Sequence, residues 1–170
     1  MMMAEATNHY FKHLGVSDGL SQVCIPSIYQ DELGAVWLGT TEGLNRYNGK
    51  DVKVFQPSES NHGLTNNEIN ELCGDKNGRM YIRSGNDLIK LDIYTEQFTC
   101  LRQKGVYGLF CKKDTLWVSC ADGIYYYTGQ GTELTFFARV QKGFVGRALY
   151  VDKETVWVVT RKYLVAISRE

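Results

Sequence analysis

Two groups of side chains in this 170-residue sequence have types and spacings that could support chemistry. His9 and His13 lie four residues apart, so on one face of a helix both imidazoles could bind a metal ion. Their segment has the residue types of a strand, and we predict no metal site there. Asp31, Asp75 and Asp152 fall near corresponding points of a repeat and could form a ring of carboxylates. Because turn-forming residues surround them, we predict that each carboxylate caps its own turn.

Motifs for nucleophilic or metal-assisted chemistry are missing from the sequence. It contains no GxSxG elbow, no HExxH, no phosphate-binding loop and no GxGxxG followed by a helix. Paired acid–base catalysis would need two carboxylates that converge in one pocket, and the turn pattern does not indicate such a pair. We therefore predict no catalytic residue, no metal ligand and no cofactor in this chain.

Aromatic side chains offer a different chemistry, because an aromatic ring can stack on the apolar face of a sugar. Trp37, Trp117 and Trp157 lie in the runs AVWLG, TLWVS and TVWVV, where consecutive residues are apolar. That setting favours packing between sheets over sugar stacking. In the run Tyr125–Tyr127, strand alternation places the middle ring on one face and the outer two on the other. We expect at least one of these phenols to reach solvent.

The elements that must position these residues are copies of one repeat. At an offset of 44, Gly19–Tyr47 aligns with Gly63–Leu91 without a gap. Six residues of the first segment recur identically in the second: Gly19, Leu20, Ile25, Asp31, Gly34 and Leu44. At an offset of 40, LFCKKDTLWVSC from Leu109 matches LYVDKETVWVVT from Leu149. A period near 40 with strand-type content predicts a β-propeller.

Each copy is predicted to contain four short antiparallel strands. The proposed strands of the first copy are Ile25–Gln30, Val36–Thr40, Leu44–Tyr47 and Val52–Gln56, with Asn48-Gly49 as a tight hairpin turn. Those of the last copy are Arg147–Val151, Val156–Thr160 and Leu164–Ile167. Strands that are apolar on both faces need cover on both sides, and neighbouring blades supply it.

The fold class is therefore all-β, a propeller-type domain over residues 1–170 with about four blades. The units run over residues 19–56, 63–101, 105–138 and 143–170. The last copy lacks an outer strand, and the segment His9–Leu14 could complete its blade and close a ring. A closed four-bladed ring, an open arc and an arc closed by a second chain all remain open.

Composition narrows the function class. The chain has 19 basic and 19 acidic residues, so its formal charge of zero argues against nucleic-acid and anionic-membrane partners. No apolar run approaches the roughly 20 residues of a membrane span. The five cysteines have neither zinc-ligand spacing nor an even number, and we expect them to serve as small buried hydrophobic residues.

The stretch DELGAVWLGTTEGLNRYNG, Asp31–Gly49, preceded by DGLSQVCI from Asp18, resembles the two-component regulator propeller repeat. The likeness covers most of the chain, most specifically in the first copy, and it implies a periplasmic sensor domain of a bacterial hybrid histidine kinase. Such a domain binds carbohydrate fragments and signals to a kinase module outside this chain. The family's sensors have many more blades, so further blades or a second copy of the chain are expected partners.

Propeller ligands lie at the ring face near the axis, so the loops that enter the innermost strands are the predicted binding surface. Their candidate residues, besides Ser21, are Gln22, Asn66, Asn67, Glu68, Tyr107 and Arg147. Amides, a phenol and a guanidinium suit the recognition of hydroxyl and carboxylate groups. The alternative functions are a structural or oligomerisation module without its own ligand, and a propeller lyase or glycosidase.

Overall fold

The computed structural model describes residues 12–58, 63–139, 146, 148–153, 155–160 and 162–168. These residues form fifteen strands and a short 3₁₀ helix, Val16–Asp18. The strands are β1 (Ser27–Gln30), β2 (Val36–Thr40), β3 (Gly43–Tyr47), β4 (Val52–Phe55), β5 (Ile69–Gly74), β6 (Arg79–Ser84), β7 (Asp87–Asp92), β8 (Gln97–Arg102), β9 (Val106–Lys112), β10 (Thr115–Cys120), β11 (Gly123–Tyr127), β12 (Thr135–Arg139), β13 (Ala148–Val151), β14 (Thr155–Val159) and β15 (Leu164–Ser168).

The strands pair in four antiparallel sheets, which we call blades. Blade 1 contains β1–β4, blade 2 contains β5–β8, blade 3 contains β9–β12, and blade 4 contains β13–β15. Within every blade the strands follow the order of the chain, so short turns join each pair of neighbours. The all-β, propeller-type architecture predicted from the repeat is confirmed.

Predicted strand positions agree with the structure to within two residues in the first copy and one in the last. The turn at Asn48-Gly49 differs from the tight hairpin that was expected, because β3 and β4 are separated by four residues. The Asn48 side chain accepts hydrogen bonds from the N–H groups of Lys50 and Asp51 and so shapes the longer turn. Of the proposed closing segment His9–Leu14, residues 9–11 lie outside the described residues, and residues 12–14 are not in a strand.

Apolar side chains on the two faces of each sheet hold the blades together. We call the face toward the following blade the front and the opposite face the back. Trp37, on the front of blade 1, is fully buried against the back of blade 2. Tyr81, on the front of blade 2, is fully buried against the back of blade 3. The inner strands lie side by side in the order β1, β5, β9, β13.

Backbone packing at the first interface is close enough to require glycine at position 39. Gly39 lies in β2 on the front of blade 1, in register with Ser27 and Leu44. A Cβ atom placed there would lie 2.8 Å from Ile69 Cγ2 and 3.0 Å from the Ile69 carbonyl oxygen. Because one of these atoms belongs to the backbone of β5, a side-chain rotation cannot relieve the clash.

The two outermost faces are only partly covered among the described residues. Residues 12–21 lie on the back of blade 1, where the Ser21 N–H donates to Asn45 Oδ1 at 2.9 Å. Ile28 on the same face nevertheless remains 66% exposed. On blade 4, Tyr150, Val159 and Leu164 are exposed, with Leu164 at 63%. Each end of the blade series therefore presents apolar surface.

Over the described residues, no helix has the length and apolar character needed to cross a membrane.

We expect Gly39→Ala to lower the free energy of unfolding by about 1–3 kcal/mol, because the added methyl group must push β2 away from β5. Urea unfolding followed by tryptophan fluorescence measures the change. Gly15→Ala is the matched control, because Gly15 has extended backbone and its nearest neighbours beyond the adjacent residues lie 3.8 Å or more from an added Cβ. Equal stability of the two variants would contradict the packing described for blades 1 and 2.

Candidate functional site

The loop before β5 contains three of the predicted ligand-binding residues, Asn66, Asn67 and Glu68, and all three are exposed. The Asn66 N–H donates to Ser84 Oγ at 2.9 Å, and Asn66 Oδ1 accepts from the Glu68 N–H at 2.8 Å. Turns of two different blades hold the same loop. The Gly43 N–H of blade 1 donates to the Asn67 carbonyl, and the Gly85 N–H of blade 2 donates to the Glu68 carbonyl.

In these contacts the backbone of the loop and the Asn66 side-chain amide hold the loop in place. The side chains of Asn67 and Glu68 are left facing solvent on a loop whose position is fixed by five hydrogen bonds of 2.7–2.9 Å. A rigid loop with an exposed amide and an exposed carboxylate could bind hydroxyl groups at little entropic cost.

The other predicted binding residues are placed differently. Gln22 is half-buried, and its Oε1 accepts a hydrogen bond from the adjacent Val23 N–H at 2.7 Å. Tyr107 is the second residue of β9 and is half-buried, so it belongs to a strand and not to the loop before it. Arg147 lies outside the described residues. A ligand surface that includes all six residues therefore stays a prediction.

A groove between blades 2 and 3 contains a second group of polar and aromatic side chains. It is open to solvent, has a volume of about 280 Å³, and is lined by Leu101, Arg102, Tyr125, Thr132, Glu133 and Leu134. Arg102 is the last residue of β8, and Tyr125 is in the middle of β11. The groove therefore depends on the packing of two blades and not on one repeat.

Arg102, Asp122 and Tyr125 form a connected cluster at this groove. Arg102 Nη2 donates to Asp122 Oδ1 at 2.8 Å, and the Tyr125 hydroxyl donates to Asp122 Oδ2 at 2.8 Å. The Arg102 guanidinium also lies over the Tyr125 ring, 4.6 Å from its centroid. Phe136 contacts the same ring edge-on with the centroids 5.5 Å apart. These contacts fix the orientation of the phenol and of the guanidinium.

The cluster keeps Asp122 charged. Burial tends to raise the pKa of Asp122, but the hydrogen bonds from Tyr125 and Arg102 outweigh it, and the pKa lies below its ordinary value. At neutral pH the groove is consequently lined by the Arg102 guanidinium and the Tyr125 ring, and both are held by the ionised Asp122 carboxylate. Such a set of groups can accept from and donate to the hydroxyls of a ligand.

Arg102 and Asp122 were not expected from the sequence, because they are 20 residues apart and lie in different blades. The one usable signal was the run Tyr125–Tyr127, for which a partly exposed phenol was expected. Tyr125 and Tyr127 pack against the same apolar cluster, whereas Tyr126 contacts Trp117 on the opposite face of the blade, so the predicted alternation is confirmed.

Asp31 and Asp75, two of the three aspartates considered as a carboxylate ring, are turn caps, as predicted. Asp31 Oδ1 accepts from the N–H groups of Leu33 and Ala35, and Asp31 Oδ2 accepts from Trp37 Nε1 at 2.8 Å. Asp75 repeats the arrangement with the Asn77 N–H and the Tyr81 hydroxyl. Each cap is thereby bonded to the aromatic anchor of its own blade, which the turn pattern did not indicate.

Metal binding has no support within the part of the chain that the structure describes, where no group of three or more candidate ligands comes together. His13 is exposed, and His9 lies outside the described residues.

Solved structures with the same fold define the class of this protein as a propeller-type domain. The extracellular domain of the hybrid two component system BT3049 from B. thetaiotaomicron matches 92% of this chain with a TM-score of 0.79 and 22% identity. The extracellular domain of the one component system BT4673 from the same organism matches 88% with a TM-score of 0.71 and 19% identity. This chain spans 25% and 21% of the two structures.

The sequence comparisons give a more specific likeness, which covers part of the chain. Residues 19–42 match the two component regulator propeller family. Over 55 residues the chain is also 38% identical to histidine kinase P4 of Formosa agariphila, which covers 32% of this chain and 4% of that protein. The chain therefore carries a two-component regulator propeller repeat, and the resemblance noted in its sequence is confirmed.

We expect Asp31→Ala to lower the free energy of unfolding by about 2–4 kcal/mol, because three donors lose their acceptor and the Trp37 N–H is buried. Urea unfolding measures the effect, and tryptophan fluorescence reports the changed environment of the indole. The matched control is Asp152→Ala, since Asp152 is exposed and its carboxylate accepts from the adjacent Lys153 N–H. The control should cost less than about 1 kcal/mol. A similar loss in both variants would contradict the role assigned to Asp31.

Proposed function

We propose that this chain is part of the sensor propeller of a two-component signalling receptor and that it has no catalytic activity of its own. The match of residues 19–42 to the regulator propeller family carries the proposal. The identity to a histidine kinase over 55 residues agrees with it. In this proposal the kinase module lies elsewhere in a longer protein.

An extracellular or periplasmic location is part of the same proposal. Two of the structures that resemble this chain are extracellular domains of a two-component and a one-component system. A sensor in that position meets its ligand before the signal crosses the membrane. The zero formal charge of the chain agrees with a neutral ligand better than with a polyanion.

The ligand class that we propose is carbohydrate, bound in the groove between blades 2 and 3. The supporting observation is the fixed Tyr125 ring beside the ionised Asp122–Arg102 pair. Glu133 and Thr132 add further polar groups along the groove. A volume of about 280 Å³ lies just below the usual range of small-ligand sites, which suits one sugar unit of a longer fragment.

A thermal-shift screen of neutral and acidic oligosaccharides tests this proposal. A ligand at a hundred times its Kd stabilises the folded state by about 2.7 kcal/mol, which raises the Tm by roughly 5–10 °C. We expect Tyr125→Ala to abolish the shift, because it removes the ring and the hydroxyl that orients Asp122. Tyr163→Ala is the control, because Tyr163 is 68% exposed on blade 4; it should retain the shift.

Other outcomes of the screen separate the parts of the proposal. If Asn67→Ala or Glu68→Ala removes the shift while Tyr125→Ala keeps it, the ligand binds the loop before β5. That result would contradict the proposal that the ligand binds in the groove. If no oligosaccharide changes the Tm, this chain does not contain the sugar site.

A second function, the docking of further blades, is favoured by the apolar surface at the two ends of the blade series. Ile28 on blade 1 and Leu164 on blade 4 are each more than 60% exposed. This chain also spans 25% of the BT3049 extracellular domain, so a longer protein would have additional blades to cover those faces. We propose that the front of blade 4 packs against the next blade of the same polypeptide.

Light scattering of the isolated 170-residue chain tests the docking surface. We expect concentration-dependent self-association, because uncovered apolar faces of this kind pair with another copy. Leu164→Lys should shift the chain toward monomer. Leu33→Lys is the matched control, since Leu33 is 56% exposed in the β1–β2 turn and away from both outer faces. A wild-type chain that is monomeric at all concentrations would contradict the proposal.

A further inference from the structure

The inner strands of blades 2 and 3 place two cysteines opposite one another. Cys73 in β5 is in register with Tyr81, so its side chain lies on the front of blade 2. Cys111 in β9 is in register with Leu116, so its side chain lies on the back of blade 3. The two Sγ atoms are 2.8 Å apart. This distance is shorter than a contact between non-bonded sulfur atoms, and less than about 1 Å of movement would close it to a bond.

Equivalent places at the other blade interfaces contain a large side chain. At the interface of blades 1 and 2, the Tyr29 hydroxyl occupies the space where a Cβ of Gly74 would lie. At the interface of blades 3 and 4, Phe110 packs with Leu149 and Val151. Of the three blade interfaces, the one between blades 2 and 3 is therefore the one where two small side chains meet at this place. A covalent bond there would fix the inner strands at the separation that the larger residues set elsewhere.

The surroundings are those of a structural bond and not of a reactive thiol. Both cysteines are half-buried against the apolar cluster that contains Tyr81, Leu109 and Leu116. Burial raises the pKa of the Cys73 thiol well above its ordinary value, so its thiolate is rare at neutral pH. Of the remaining cysteines, Cys24 is exposed, Cys100 is half-buried, and Cys120 is buried with a pKa raised to about 12.

We propose that Cys73 and Cys111 form a disulfide that joins blades 2 and 3 when the chain folds in an oxidising compartment. The oxidant is a disulfide of a small thiol or of a protein thiol carrier. One cysteine thiolate attacks that disulfide and releases a thiol, and the second cysteine then displaces the other half. In total two protons leave the protein, one S–S bond forms, and the oxidant is reduced to two thiols.

The bond would connect positions 38 residues apart and would constrain the unfolded chain. With this pair bonded, the other three cysteines remain as thiols. The expectation that all five serve as buried hydrophobic residues is wrong for Cys24, which is exposed.

Peptide mapping of the folded full-length chain tests the proposal. The reduced, denatured chain is refolded in a mixture of glutathione and glutathione disulfide, its free thiols are blocked with iodoacetamide, and it is digested with trypsin. Trypsin places the five cysteines in five separate peptides, with Cys73 in residues 54–76 and Cys111 in residues 105–112. We expect a linked 54–76/105–112 peptide that disappears on reduction. Alkylated Cys73 and Cys111, or a link from either to another cysteine, would overturn the proposal.

Thermal unfolding provides an independent reading. The oxidised chain should melt roughly 8–16 °C higher than the reduced chain, the size expected for a loop of this length. Cys111→Ser should abolish that difference, while the matched control Cys100→Ser, another half-buried cysteine, should keep it. If Cys111→Ser fails to fold, the peptide map of the wild-type chain still decides. A wild-type Tm that is the same in both states would count against the bond.

Discussion

Each blade of this protein is apolar on both faces, and this constraint determines the rest of the structure. A sheet whose front carries Trp37, Leu44 and Phe55 cannot hide those side chains within itself, so it must lie against a second sheet. The front of that second sheet is also apolar, so it must in turn pack against a third sheet. The stacking of blades, the side-by-side inner strands and the glycine at position 39 all follow from this requirement.

The same constraint separates structural from functional residues. The indole of Trp37 and the phenol of Tyr81 are buried between blades and are bonded to turn aspartates, so they cannot stack on a ligand. Binding therefore has to use residues at the margins of the blade interfaces. The cluster of Arg102, Asp122 and Tyr125 lies at such a margin, because it connects the outer strand of blade 2 to blade 3.

Sequence analysis predicted the fold more completely than the site. The strands, their order and the turn role of Asp31 and Asp75 depend on short-range patterns, and the structure agrees with them. The four-residue turn at Asn48 was missed, because the side chain of Asn48 and not the Asn-Gly pair shapes it. Tyr107 was assigned to a loop although it lies in β9, since strand ends are poorly marked in this repeat.

By itself, the sequence determined the repeat, the blade and the double apolar faces, because spacing and residue type are properties of neighbouring positions. Only the tertiary structure decided which residues of different blades meet. Arg102 reaches Asp122 across 20 residues, and Cys73 reaches Cys111 across 38. The physical reason is that these distances depend on how closely two sheets pack. That separation is set by all the side chains of an interface together, and no single segment of the chain contains it.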